Sequence, residues 1–121
     1  MQYLLLINDD EQTWEDMPAE ARDAAFQEYM AFTAALRERG AYVGANQLQP
    51  AGTATTVSVR DGETIVTDGP FAETKEVLGG YYLIDVETLD EALAWAAKLP
   101  SARYGHIEVR PIVMREAEVA S

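Results

Sequence analysis

The spacing of hydrophobic and polar positions changes several times along the chain, and each change marks a predicted element. Residues 3–7, YLLLI, form a continuous apolar run, which is typical of a central strand buried on both faces. Residues 8–17, NDDEQTWEDM, are polar and acidic and are predicted to form a loop. Apolar side chains then recur every three or four residues, which predicts a helix with one core-facing stripe. The stripe consists of Phe26, Tyr29, Met30, Thr33 and Leu36.

The ends of this helix carry different signals. Pro18 suits the first helical position, with Met17 in the N-cap slot, where its side chain offers no oxygen to a backbone amide. Gly40 suits the left-handed residue that follows a helix. Residues 41–50 are strand-like but interrupted at Gly44.

Two β-branched runs then flank Asp61-Gly62, which predicts a β-hairpin over residues 53–69. The stretch 80–88, GYYLIDVET, predicts another strand. A capping box of Thr88 and Glu91 opens a second helix that ends at Pro100. Its inward-facing residues are predicted to be Ala92, Leu93, Ala96 and Leu99.

The alternating segment 106–113 predicts a last strand, and the tail 114–121 is expected to fray. Two helices and a mainly antiparallel sheet bury their apolar faces best when both helices pack on one side. The predicted fold is therefore α+β, a ferredoxin-like two-layer sandwich. Because Tyr81 to Val86 carry apolar groups on both strand faces, we expect a second copy to cover the open face, giving a homodimer.

Length, charge and cysteine content limit the number of domains, the possible partners and the location of the protein. A chain of 121 residues predicts one domain, 1–121, with its core at about 1–114. Nine Lys and Arg against 21 Asp and Glu give a net charge of −12, which argues against nucleic acid and anionic membranes as partners. The absence of cysteine fits a reducing compartment, and the N-terminal apolar run is too short for a signal peptide or a membrane span. The predicted location is cytoplasmic.

His106 is the only histidine and therefore the one side chain that ordinarily titrates near neutral pH. In GHIEVRP it shares a strand face with Glu108 and Arg110, either as a surface residue or as a general acid or base in a cleft. Asp85 would need a partner, with His106 and Arg110 as the two candidates. Neither a metal site nor a cofactor is predicted, because no ligand spacing or nucleotide motif is present.

The segment 66–82, VTDGPFAETKEVLGGYY, is dense in ionisable residues. Asp68-Gly69-Pro70 is typical of a turn, and Phe71 is most simply a buried plug of the sheet, although it is also a candidate ligand contact. The remaining candidate ligand-binding residues are Glu73, Lys75 and Glu76. They form either a solvated loop or the mouth of a site for a small polar metabolite.

The string TDGPFAETKEVLGGYYLIDV, followed by LDEALAWAAKLP and EVRPI, resembles the YCII-related family and specifically its DGPF-type branch. The resemblance implies a dimeric α/β barrel and, in YciI-like relatives, acid/base work by a His–Asp pair. Such relatives have a histidine in the first helix, whereas PAEARDAAFQEYM has none; His106 matches a second one. The pair would then be His106 with Asp68 or Asp85.

Three functions follow as hypotheses. The first is a protein that binds a small molecule and acts on it as a cofactor-independent enzyme. In this hypothesis His106 is the general acid or base and Lys75 holds an anionic group of the substrate. The second is a non-catalytic regulatory or ligand-binding dimer, which the resemblance links to extracytoplasmic-function sigma factor pathways. The third is a purely structural dimer without an enclosed pocket.

Overall fold

The computed structural model describes residues 1–115, in which helices and strands follow the predicted order with small additions. The strands are β1 (Gln2–Asp9), β2 (Tyr42–Gln47), β3 (Thr55–Arg60), β4 (Glu63–Asp68), β5 (Val77–Asp85) and β6 (His106–Pro111). The helices are α1 (Glu11–Asp16), α2 (Ala19–Arg39) and α3 (Leu89–Ala97), with 3₁₀ segments at Ala51–Thr53 and Pro100–Arg103. The tail that is predicted to fray spans residues 114–121. Its residues 116–121 lie outside the described part of the chain.

The sheet has four antiparallel strands in the order β2-β5-β1-β6, and β3 and β4 form a separate two-stranded hairpin. This confirms an α+β fold with an antiparallel sheet, and the strand order is compatible with the ferredoxin-like expectation. The hairpin turns at Asp61-Gly62, where the sequence places it. The dimeric barrel stays a prediction.

The core lies between one face of the sheet and the two long helices. Strand β1 alternates, with Tyr3, Leu5 and Ile7 buried and Leu4 and Leu6 partly exposed. The prediction that β1 is central is confirmed, but within the single chain only one of its faces is covered. The buried cluster also contains Phe32, Leu36, Ala41, Tyr82, Ile84, Val86, Ala92, Ala96 and Leu99.

The predicted inward stripe of α2 is partly wrong. Leu36 is buried, but Phe26 is 61% exposed and Met30 is 53% exposed, because both side chains line an open cleft beside the sheet. Phe32, outside the predicted stripe, is the aromatic residue of α2 that enters the core. In α3 the inward positions are as expected except Leu93, which is 46% exposed.

The acidic stretch after β1 was expected to be a loop, and this prediction is wrong over α1. Asp10 is the N-cap and accepts a hydrogen bond from the Gln12 amide at 3.0 Å. Gln12 in turn donates to Asp16 at 2.8 Å, so local side-chain bonds stabilise a single short helix. The next helix starts one residue later than predicted, with Pro18 as the N-cap, and as expected no side chain caps it.

Candidate functional site

A cleft of about 780 Å³ opens between α2 and the part of the sheet formed by β2 and β5. This volume lies within the range of small-molecule sites in proteins, about 300–1,000 Å³. Its walls are largely aromatic and apolar, formed among others by Trp14, Phe26, Tyr29, Met30 and Tyr82. The site therefore has the size and wall chemistry of a binding pocket for an organic molecule.

The polar centre of this cleft is Asp9, the last residue of β1. The alternation of β1 places its side chain on the helix-facing side, and the residue is only 6% exposed. Its Oδ2 atom accepts hydrogen bonds from Trp14 Nε1 at 3.0 Å and from Ser101 Oγ at 2.8 Å. Within residues 1–115 no donor reaches Oδ1. A carboxylate oxygen is thus left available in the pocket.

Ser101 connects Asp9 to α2. It is fully buried in the 3₁₀ segment after α3, and its Oγ lies 2.6 Å from the Tyr29 hydroxyl. A serine hydroxyl has one proton, which goes to Asp9, so Tyr29 must donate to Ser101. Burial raises the pKa of Tyr29, the bond to Ser101 lowers it, and the charge of Asp9 raises it. The chain Tyr29, Ser101, Asp9 therefore holds the carboxylate in one orientation.

A second pair of hydroxyls stands beside this chain. Thr33 donates to the Tyr29 carbonyl at 3.0 Å, so the Tyr82 hydroxyl, 2.8 Å from Thr33 Oγ1, is the donor of that bond. Burial raises the pKa of Tyr82 while the bond to Thr33 lowers it. The wall between α2 and β5 is thereby fixed by internal hydrogen bonds.

Backbone contact sets the position of Asp9. Gly105, just before β6, packs against the end of β1, and a Cβ there would lie 2.8 Å from Asp9 Cβ and still closer to the Asn8 carbonyl. Only glycine permits this approach. Arg103 also makes two bonds to Glu28 of α2, at 3.0 and 3.1 Å, which connect the Ser101 segment to the helix.

Most of the predicted ligand-binding segment lies away from this cleft. Phe71 is 91% exposed, so its predicted role as a buried plug is wrong; the loop after Asp68 runs along the surface and does not fold back onto the sheet. Glu73 and Lys75 are exposed in the same loop. Glu76 is partly buried, and its Oε1 atom lies 2.8 Å from Nδ1 of His106.

The predicted catalytic residues are not gathered in one place. His106 lies opposite Asn8 on β1, whereas Asp85 lies opposite Gln2. Six residues of strand separate these positions, about 20 Å. Asp85 instead pairs with the amino group of Met1 at 3.0 Å, and Asp68 ends β4 in the separate hairpin. The structure brings His106 together with Glu76, not with either aspartate.

A smaller cavity of about 500 Å³ adjoins the His106–Glu76 pair. Its lining includes Glu76, Phe71 and Thr74 from the predicted segment, together with Asn8 and Leu78 from the sheet. Phe71 is thus a wall of a cavity and remains a candidate ligand contact. Of the predicted site residues, Phe71 and Glu76 line this second cavity.

Sequence reasoning did not single out Ser101, favoured packing over ligand contact for Trp14, and treated Tyr29 as core. The acidic residues 8–11, which include Asp9, admit two interpretations in sequence, the rim of a cleft or simple solvation, and solvation was the favoured one. The available signal for Asp9 was the alternation of β1, which places an acid after Tyr3, Leu5 and Ile7 on the core side.

Among residues 1–115, no helix is long and apolar enough to cross a membrane. Over the same part of the chain, no three His, Asp or Glu side chains converge in a way that would hold a metal ion.

The fold and the cleft define a small α+β domain with a ligand-sized pocket on the helical side of its sheet. Comparison with known proteins identifies the family: residues 1–116 match the YCII-related domain. A protein from Rhizobium meliloti (strain 1021), described as uncharacterized, is 40% identical over 116 residues, which cover 94% of each chain. The chain belongs to the YCII-related family.

Proposed function

We propose that this YCII-related protein binds a small organic molecule in the cleft between α2 and the sheet, with Asp9 as its polar contact. The observation that supports this is a buried carboxylate with one oxygen held by Trp14 and Ser101 and the other directed to open space. A charge-assisted hydrogen bond to a carboxylate is stronger than one between neutral groups. A ligand donor is therefore expected to bind at Asp9 Oδ1, the oxygen that faces the cleft.

The same arrangement suits proton transfer without a cofactor. Asp9 is held in place by two donors to Oδ2, and Oδ1 lies in the cleft, where a bound molecule has access to it. Unlike the His–Asp hypothesis, this acid/base site contains no histidine. A protein that binds the molecule without converting it would be the regulatory alternative.

A thermal-shift screen with a metabolite library tests the binding proposal. A ligand at about 100 times its Kd should stabilise the protein by about 2.7 kcal/mol. Ala34→Phe should abolish the shift, because Ala34 lines the cleft, whereas Ala35→Phe, on the next residue of α2, should preserve it. Compounds that still stabilise the Ala34→Phe variant in the thermal-shift screen would contradict the assignment of the cleft as the binding site.

The His106–Glu76 pair supports a second candidate site. Its contact of 2.8 Å beside the smaller cavity is the arrangement of an acid/base pair, with a glutamate in the predicted place of an aspartate. Ligands of this site should lose their thermal shift in His106→Gln and keep it in Ala34→Phe. The reverse pattern assigns binding to the cleft.

We also propose that the protein is a homodimer that covers the outer face of the sheet. Leu4, Leu6 and Leu83 lie together there, since Leu4 pairs with Leu83 across β1 and β5, and all three are only partly covered. Light scattering should give twice the chain mass, and Leu83→Glu should give the monomer. Leu89→Glu, at an exposed apolar position in the first turn of α3, should remain dimeric. A monomeric unmodified protein would contradict the proposal.

A further inference from the structure

We infer that the molecule bound in the cleft is an amine that is protonated at neutral pH, carried on an aromatic or branched apolar body, with its ammonium group on Asp9 Oδ1. The inference rests on the proposed function of the cleft and names the chemical class of its ligand. Three independent features of the cleft support it: its charges, the environment of Asp9, and its uncovered apolar walls.

The charges lining the cleft are mainly negative. Asp9, Glu11 and Glu15 contribute three carboxylates, and Arg37 is the cation among the described residues that line it. The Arg37 guanidinium lies 4.1 Å from the centre of the Tyr42 ring, so it already has a partner at the rim. The whole chain carries −12, and its field attracts cations and repels anions. A carboxylate or phosphate ligand would therefore meet repulsion from both sources.

Asp9 is the buried one of these three carboxylates. Its surroundings favour a cationic ligand independently of the number of charges in the cleft. Its two hydrogen-bond partners, the Trp14 indole and the Ser101 hydroxyl, are neutral, and no cation contacts it in the described chain. A buried charge without an opposite charge is costly, and a charge-assisted bond to an ammonium compensates it better than a neutral donor does. The ligand is thus expected to bring the missing positive charge.

Space for that group exists next to the free oxygen. Gly79 of β5 faces Asp9, and a Cβ on Gly79 would lie 3.6 Å from Oδ1. Because glycine has no side chain, this volume is open to the cleft that both residues line. An ammonium group can occupy it within hydrogen-bond distance of Oδ1.

The walls around this position are suited to an apolar body. The Trp14 and Tyr29 rings lie 6.5 Å apart, and Phe26 and Met30 leave large apolar surfaces exposed along α2. Aromatic faces also attract cations, which favours an ammonium group over a neutral isostere. A ligand that joins an ammonium to an aromatic or branched hydrocarbon would cover these surfaces and neutralise Asp9 at once.

Three probes of nearly equal shape test the inference: 2-phenylethylamine, 2-phenylethanol and phenylacetate, titrated by calorimetry at pH 7. We expect the amine to bind at least tenfold more tightly than the alcohol, and phenylacetate to bind weakest. Asp9→Asn should weaken the amine at least tenfold and the alcohol less than threefold. Asp61→Asn, the same change in the turn of the exposed hairpin, should leave all three affinities unchanged.

Each other outcome overturns the inference in a recognisable way. Equal affinity for amine and alcohol, or an amine affinity that Asp9→Asn does not change, shows that the charge of Asp9 does not select the ligand. Amine binding that survives Ala34→Phe shows attraction to the acidic surface only. If only phenylethanol or phenylacetate binds, and Ala34→Phe abolishes it, the inference is wrong but the proposed cleft function stands. If none of the three binds, the inference is wrong and the library screen decides the proposed function separately.

Discussion

Replacing Ser101 by alanine tests the hydrogen-bond chain that orients Asp9. The substitution removes a fully buried hydroxyl that donates to Asp9 Oδ2 at 2.8 Å and accepts from Tyr29 at 2.6 Å. A bond to a charged acceptor contributes about 1.5–3 kcal/mol and a neutral one about 1 kcal/mol. Tyr29 is partly exposed and regains a bond to water, whereas Asp9 Oδ2 keeps only the Trp14 donor. We therefore expect Ser101→Ala to lower the free energy of unfolding by about 2–4 kcal/mol.

Urea unfolding followed by circular dichroism measures this loss, and Ser58→Ala is its matched control. Ser58 lies in β3, and its hydroxyl makes no hydrogen bond to the described residues, so its replacement should change stability by less than about 0.5 kcal/mol. A loss of less than about 1 kcal/mol for Ser101→Ala would refute the reasoning, because a buried carboxylate cannot lose a donor at so small a cost. The chain from Tyr29 to Asp9 would then not be what orients the site.

Three further predictions concern packing and ionisation. Gly105→Ala should destabilise the protein by about 1–3 kcal/mol, because its methyl group would overlap the end of β1; Gly52→Ala, where nothing lies within 4 Å, should be nearly neutral by urea unfolding. Phe71→Ala should change the same quantity by less than about 0.5 kcal/mol, since the ring is 91% exposed, whereas Phe32→Ala in the core should cost about 3–5 kcal/mol. Because burial raises the pKa of Tyr29 above its usual value of about 10, the unfolded chain loses that proton first. The resulting stabilisation is present below pH 10 and is lost as pH rises through the folded pKa, and Tyr29→Phe should make this alkaline decline shallower.

The fold could be predicted well because its signals are local. Strand alternation, the N-cap at Thr88 and the Asp61-Gly62 turn each act over a few residues, and the structure confirms them. The reciprocal half of the predicted capping box is not formed, because the Glu91 carboxylate accepts from Arg39 instead. The errors arose where a helix faces something other than core. Phe26 and Met30 have the spacing of a buried stripe, but the same spacing serves the wall of a cleft.

The candidate site could be predicted only in part, because it depends on contacts between distant segments. Ser101 and Asp9 are 92 positions apart, and no periodic pattern links them. Glu76 and His106 were both candidates, but their pairing depends on how β6 and the end of β5 meet at β1. A dense cluster of ionisable residues such as Glu73 to Glu76 is visible in sequence, whereas a single buried acid is not.

The most direct test of the central claim uses the two tryptophans of the chain. The Trp14 indole N–H is bonded to Asp9, whereas Trp95 packs against Phe32 in the core and does not line the cleft. In a ¹H–¹⁵N spectrum, titration with 2-phenylethylamine should shift the Trp14 indole signal progressively to saturation and leave that of Trp95 in place. A Trp14 signal that stays fixed while a ligand binds, or equal shifts of both indoles, would contradict the assignment of the cleft and of Asp9 as the binding site.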